Sequence, residues 1–275
     1  MNVMVRPREL EMVRWRDLVA LTPFEKTWEL GLSLPWLLLS IWCYEQNWCW
    51  AGLGCSFYVF LTGLRQSHNA QHYSLGFPRR VQDAVLFTLS LLMLASMHAV
   101  QTTHLHHHRH CLDEEDSEGA TARLSWWKAL LIGPLFFARL HRSAWHLACR
   151  AKRRWIAVEM VGCLAIVTAA IWLWDWTGLR WHVQAMLGGE CLTGFFAVWT
   201  VHRGCSSRDP GRTQRGKWLS LISYSMFFHA EHHLFPGVPT PHLRELARRL
   251  DDVTPEFRKC SVLPSVAGFR AECNS

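Results

Sequence analysis

Apolar residues gather in four long stretches, at 30–44, 48–64, 156–174 and 182–202, parted by polar or basic segments. A helix needs roughly 20 apolar residues to cross a bilayer core, so each stretch predicts a membrane-spanning helix, the first two only with flanking residues added. Glu45, Gln46 and Asn47 alone divide the first pair, and Asp175 to Trp181 divide the second, which predicts two helical hairpins. Trp48 and Trp50 stand at one turn and Trp174, Trp176 and Trp181 at the other, the place for a ring with an apolar body and a polar edge. Two shorter apolar stretches, Ala84 to Val100 and Ala129 to Leu140, lie between the hairpins.

Charge orients these spans, because basic residues near span ends are retained on the cytoplasmic side. Arg6, Arg8, Arg14 and Arg16 precede the first stretch, and Arg65, Arg79 and Arg80 follow the second. Arg150, Lys152, Arg153 and Arg154 precede the third, Arg203 follows the fourth, and of 29 Lys and Arg only Arg180 falls in a loop assigned to the outside. A multi-pass protein with both termini in the cytoplasm is expected. The net charge of +7 then reflects topology and attraction to a bilayer with anionic lipid; no nucleic-acid recognition motif is present. The charged first 20 residues lack the short apolar run of a cleavable signal, so insertion is expected to rely on the spans. The ten cysteines form no C-x-x-C pair, and Cys55, Cys163 and Cys191, set in apolar runs, read as reduced packing residues.

Histidine supplies the chemistry. Three tight clusters stand out among the 16 histidines: His68 and His72 in HNAQH, His104, His106, His107, His108 and His110 in HLHHHRH, and His229, His232 and His233 in HAEHH. Residues three or four apart on a helix share a face. His68 and His72 are thus expected to converge on one point, while His104, His107 and His108 form a three-point claw that His229, His232 and His233 repeat. His106, about 200° from His104 at roughly 100° per residue, should point away. Eight imidazoles exceed the needs of one metal, and they suit zinc, copper, iron or nickel, not magnesium or calcium. Two transition-metal ions are implied. Zinc normally closes its shell at four ligands whereas iron accepts more and leaves room for oxygen, which favours two irons. Glu231 and the run Asp113, Glu114, Glu115 and Asp116 are expected to orient imidazole N–H groups. His98, His141, His146, His182 and His242 read as surface or satisfied core residues.

If all three clusters serve one centre, they lie on one side of the bilayer. Ala84 to Val100 then cannot cross once; it dips in and returns or lies along the interface, and Ala129 to Leu140 lies flat. The fold class expected is all-α integral membrane: four transmembrane helices in two hairpins, interfacial or re-entrant helices, and a cytosolic cap carrying the histidines. Glu190, an ionisable group within the fourth stretch, caps a tunnel end or sits near the outer interface. After the proline-rich stop at Pro236, Pro239 and Pro241, a helix from His242 to Leu250 sets Leu243, Leu246 and Leu250 against arginines, a pattern suited to a membrane surface.

HNAQH, then HLHHH followed by Arg109 and the acidic run, then HAEHHLFPGVP, together resemble the membrane fatty acid desaturases of the histidine-box superfamily. The third box is the most specific, its H-x-E-H-H-L-F-P-x-x-P form matched by His229, Glu231, His232, His233, Leu234, Phe235, Pro236 and Pro239. The resemblance covers about residues 30–250. It implies a desaturase-like membrane domain there, flanked by a cytosolic N-terminal segment (1–29) and a C-terminal tail (251–275). It also implies two Fe ions held at the cytosolic face, O2 and two electrons removing two hydrogens from an acyl substrate, and a further ligand from the end of the span before the third box. His202 is the candidate there, completing the set His68, His72, His104, His107, His108, His202, His229, His232 and His233. Where the family often has an acidic residue after the first histidine, this chain has Asn69, which could still accept a hydrogen bond. No cytochrome b5-like H-P-G-G segment is present, so a separate electron donor, ferredoxin-like or cytochrome b5-like, is expected. A hydroxylase, a desaturase of some smaller metabolite, and a zinc-binding membrane protein remain the alternatives.

Overall fold

A computed structural model describes residues 8–206, 209–253 and 261–263; Arg6 and most of the 251–275 tail fall outside the described residues. All regular elements among the described residues are helical, apart from isolated bridges joining Thr213 to Phe228 and to Ser261. The chain enters through α1 (Pro23–Gly31), whose start is written in sequence. Thr22 accepts from the Glu25 amide at 3.3 Å, Glu25 accepts from the Thr22 amide at 2.8 Å, and Pro23 fills the first turn, where a missing N–H costs nothing.

α2 (Leu34–Glu45) and α3 (Cys49–Gln71) form the first hairpin, turned at Asn47, which takes φ 59°. α8 (Arg150–Thr168), prolonged by a π-helical turn to Leu173, is followed across a short loop by α9 (Thr177–Thr193), but α9 packs on that π-helical turn more than on α8 itself, so the expected second hairpin is not closely packed. A π-helical segment (Gly194–Trp199) carries α9 on into α10 (Thr200–His202), delivering His202 at its end. α2 and α3 both pack on α9, which ties the first hairpin to it. Large apolar side chains remain exposed on the outside, among them Leu38, Trp50, Leu164 and Trp172. A soluble monomer rarely shows so many together.

Among the described residues, Arg150–Leu173 is the helix long and apolar enough by itself to cross a membrane. α2, with 12 residues, spans about 18 Å at 1.5 Å per residue, short of a hydrocarbon core of roughly 30 Å.

Between the hairpins, α4 (Arg79–Met93) and α5 (Met97–His110) meet at 112°, so the stretch from Ala84 to Val100 turns sharply instead of crossing straight. Leu94 makes the turn in the left-handed region at φ 62°, and Ser96 caps α5 by accepting from the Ala99 amide at 3.1 Å. Glu159 of α8 reaches the same end, taking hydrogen bonds from the Ser96 hydroxyl at 2.5 Å and the His98 amide at 3.2 Å. A carboxylate at the positive end of a helix is favourable, and here it anchors the helix that carries the second histidine cluster. α6 (Trp126–Leu131) and α7 (Gly133–Leu147) follow; Gly133 lets α7 approach the backbone of α9 so closely that an added Cβ would stand 1.7 Å from the Cys191 carbonyl oxygen.

The cap is closed by α11 (Lys217–Ile222), α12 (His229–Leu234) and α13 (Leu243–Val253). Leu243, Leu246 and Leu250 of α13 are buried against Leu10, Val13, Leu18, Phe228 and Phe235. This corrects the expectation of a membrane-surface helix: the amphipathic pattern is real, but the N-terminal segment covers its apolar face.

Candidate metal centre

Four pieces of helix bring nine imidazoles together. The last turn of α3 offers His68 and His72, α5 offers His104, His107 and His108, α10 offers His202, and α12 offers His229, His232 and His233. They divide into two adjoining sets. Ring nitrogens of His68, His72, His104, His108 and His232 lie within 4.8 Å of one another; so do those of His202, His229 and His233. His107 joins the second set, its Nε2 standing 3.1 Å from His202 Nε2.

Neither claw closes on a single point as expected. His104 and His108 enter the first set and His107 the second, while His229 and His233 enter the second and His232 the first. The reason is helical pitch: at about 100° per residue, positions i+3 and i+4 fall on opposite sides of position i, about 100° apart. Each i, i+4 pair therefore shares a centre and the i+3 residue faces the other.

The outer nitrogens explain why these groups aim inward. His107 Nδ1–H donates to Asp116 Oδ2 at 2.6 Å, His104 Nδ1–H to Glu118 Oε1 at 3.1 Å, and His202 Nδ1–H to the Pro210 carbonyl at 2.7 Å. Burial pushes Asp116 upward, yet the hydrogen bonds from His107 and from the amides of Gly119 and Leu112 outweigh it and hold the carboxyl below its ordinary range. With Nδ1 committed as donor, Nε2 of His107 and of His202 each present a bare lone pair, 3.1 Å apart. His202 Nε2 also stands 2.8 Å from His229 Nε2, and His229 Nε2 stands 3.0 Å from His233 Nε2. A ring nitrogen either donates or accepts, so such a chain of contacts cannot be met by hydrogen bonds alone. A cation between the lone pairs satisfies all of them. Both ring nitrogens of His68 are shielded from solvent and have no hydrogen-bond partner, which leaves one of them free to face a metal.

Burial first, then repulsion from neighbouring imidazoles, pushes His229, His232 and His233 well below the ordinary histidine range. They are neutral, the form a metal needs. Cys111 lies beside His107 and His233, and burial pushes its thiol up.

Several expectations about the supporting residues are redrawn. Glu231 touches no histidine: it accepts from Thr213 Oγ1 at 2.7 Å and from Arg215 Nε at 2.6 Å, bracing α12 from behind. Asn69 accepts from the Thr240 amide at 3.1 Å and donates to Glu29 at 2.9 Å, again leaving the imidazoles alone. Of the acidic run, Asp116 reaches a cage histidine, while Asp113 pairs with His110. Glu118, missed in the sequence, holds His104, and its signal was no more than an acidic residue one loop beyond the second box. Glu29, also missed, is wholly buried and paired with Arg65, fixing α1 to the turn of α3 that bears His68. His106 turns away as expected and stacks on His110, ring centroids 4.2 Å apart. His98, His141 and His242 are satisfied by partners outside the cage, and His182 Nε2 donates to the Leu92 carbonyl at 2.9 Å while its Nδ1 has no partner.

A cavity of about 260 Å³ opens on the first set, with His68, His104, His229 and His232 in its wall, and runs between apolar side chains that include Phe57, Phe60, Leu64 and Phe136. The class defined is an all-helical protein with apolar outer faces, equipped to hold metal ions in a double histidine cage beside an apolar pocket. The chain belongs to the fatty acid desaturase family: the family "Fatty acid desaturase" matches residues 47–260. No curated protein sequence and no solved structure gives a match. Membership makes the chain a membrane-associated oxidoreductase by family.

Proposed function

We propose that this protein is a multi-pass membrane oxidoreductase holding two Fe ions, one in each histidine set, that uses O2 and two electrons to desaturate a fatty acyl or similar apolar chain. The observation that carries this reading is the convergence of nine imidazoles, five of them buried, in sets of five and four beside an apolar cavity. Five imidazoles in one set exceed the four at which zinc normally closes, which supports iron. Bound iron supplies the oxidising power that an unactivated C–H bond demands, and the overall balance is one CH2–CH2 unit, O2, two protons and two electrons giving one CH=CH unit and two waters.

The protein's own residues do the rest. Asp116, Glu118 and the Pro210 carbonyl hold three imidazoles in the tautomer that turns Nε2 inward. Phe57, Phe60 and Leu64 exclude water and pack along an apolar chain. The stretches 30–44, 48–64, 156–174 and 182–202 act as four spans, α1 or flanking residues lengthening the first, with termini and histidines cytoplasmic. Electrons come from a separate ferredoxin-like or cytochrome b5-like donor.

The test combines metal analysis with product mass. Purified protein should contain about two irons per chain and consume O2, and its product should be lighter by two hydrogens. H232A and H229A should each lose iron and turnover while still inserting in the membrane. About two zincs, no iron and no O2 uptake would overturn the reading, and a product heavier by one oxygen would replace desaturation with hydroxylation.

A further inference from the structure

One polar group in the cavity is not accounted for by the cage. Among the cavity-lining residues, unpartnered buried polar atoms occur on His68, Glu118, Glu190 and Ser223. His68 faces the metal set, the other oxygen of Glu118 holds His104, and Ser223 carries a neutral hydroxyl that rotates freely to suit a neighbour. Glu190 remains. It sits within α9, 7% exposed, in a wall otherwise made of residues such as Phe60, Phe136 and Val198. Its Oε2 has a long 3.4 Å contact from Thr193 Oγ1, and its Oε1 has no partner. Among the described residues no cation forms an ion pair with it. Leaving a carboxyl oxygen unpaired in an apolar cavity costs more than a neutral hydrogen bond returns, so a residue kept there has a partner supplied from elsewhere.

The cavity also says where that partner sits. Histidines form one part of its wall, and Glu190 is 12 residues before His202, roughly 18 Å along a helix at about 1.5 Å per residue. A chain whose reacting carbon lies at the cage therefore reaches Glu190 with its remote portion. We propose that Glu190 is a specificity residue that binds a hydroxyl group carried by the apolar substrate at the end remote from the reacting carbon. This rests on the oxidoreductase reading and narrows its substrate to hydroxyl-bearing apolar chains. A hydroxyl fits better than an ammonium group, because seating an ammonium there strips water from a charge in a cavity that offers few hydrogen bonds in return.

The test is equilibrium binding of radiolabelled 1-hexadecanol to the iron-loaded full chain in detergent, without turnover. Unlabelled 1-hexadecanol, n-hexadecane and hexadecylamine serve as competitors. The wild type should prefer the alcohol over the alkane by about tenfold, the effect of one hydrogen bond to a buried group. E190Q should keep that preference, and E190L should lose it while unfolding at the same or a higher temperature, since it removes an unpaired buried group. Equal affinity of alcohol and alkane for the wild type would overturn the proposal, and so would a preference surviving in E190L or tighter binding of the amine. The wild-type comparison decides even if E190L fails to fold. Iron content and O2 uptake judge the oxidoreductase reading separately.

Discussion

Replacing Asp116 by asparagine probes whether the outer hydrogen bonds of the cage set the state of its inner nitrogens. Asp116 is buried and accepts three hydrogen bonds, from His107 Nδ1 at 2.6 Å, from the Leu112 amide at 2.8 Å and from the Gly119 amide at 2.8 Å. An asparagine in the same place has one oxygen and one NH2. If the NH2 replaces Oδ2 it faces His107 and the Leu112 amide, and if it replaces Oδ1 it faces the Gly119 amide. Either way two donors oppose each other in a buried site, at a loss of about 1–3 kcal/mol. At about 1.4 kcal/mol per tenfold, that corresponds to roughly 5- to 140-fold in affinity, in line with the 10–100-fold typical of residues that orient a ligand imidazole. The assay is an anaerobic Fe(II) titration of metal-free protein. Iron in the His107, His202, His229 and His233 set should weaken by about 10–100-fold in D116N, with the other set within about threefold of wild type. Unchanged affinity at both sets, or loss confined to the set without His107, would refute the reasoning.

Glu231 is expected to behave differently despite its place inside the third box. Its bonds run to Thr213 and Arg215, so E231Q should keep full iron content while lowering unfolding stability by about 1–3 kcal/mol; loss of one iron would return it to an orienting role. Gly133→Ala drives a methyl group into the Cys191 carbonyl and should cost about 1–3 kcal/mol, read as a lower unfolding midpoint, and an unchanged midpoint would mean that α7 and α9 separate freely. Acid should release the N-terminal segment from α13. The Arg249 hydrogen bond holds Asp17 down at about 2, so its contribution is full above 3.8 and fades as pH falls toward 2. Protection of the amides at residues 10–18, taken relative to the intrinsic exchange rate at each pH, should therefore fall between pH 4.5 and 2.5 in wild type and be low at both in D17N; equal protection at both pH values in wild type would sink this.

The legible parts of the site were those written in short-range spacing. His68 with His72, His104 with His108 and His229 with His233 each stand four apart, and helical geometry alone puts each pair on one face. The division of each claw between two centres was equally implicit in the pitch, but which centre each residue serves depends on how α5 and α12 pack around the cage. Partners distant in sequence were not legible. Glu29 reaches Arg65 across 36 positions and Glu159 reaches Ser96 across 63, and no local pattern marks which buried carboxyl meets which helix end. The amphipathic α13 shows the same limit, since its leucines announce a surface to be covered but not that residues 10–18 cover it.

Sequence alone determined the helices, the first hairpin, the nine imidazoles and their family, because hydrophobic runs and i, i+4 spacing act within a few residues and survive in any packing of those helices. Tertiary structure alone decided which imidazole joins which set, which acids stand behind them, and that Glu190 lines the cavity. Those outcomes depend on rotation and approach of whole helices, set by contacts such as the Gly133–Cys191 crossing and the bend at Leu94, and such contacts join residues too far apart for any local pattern to link.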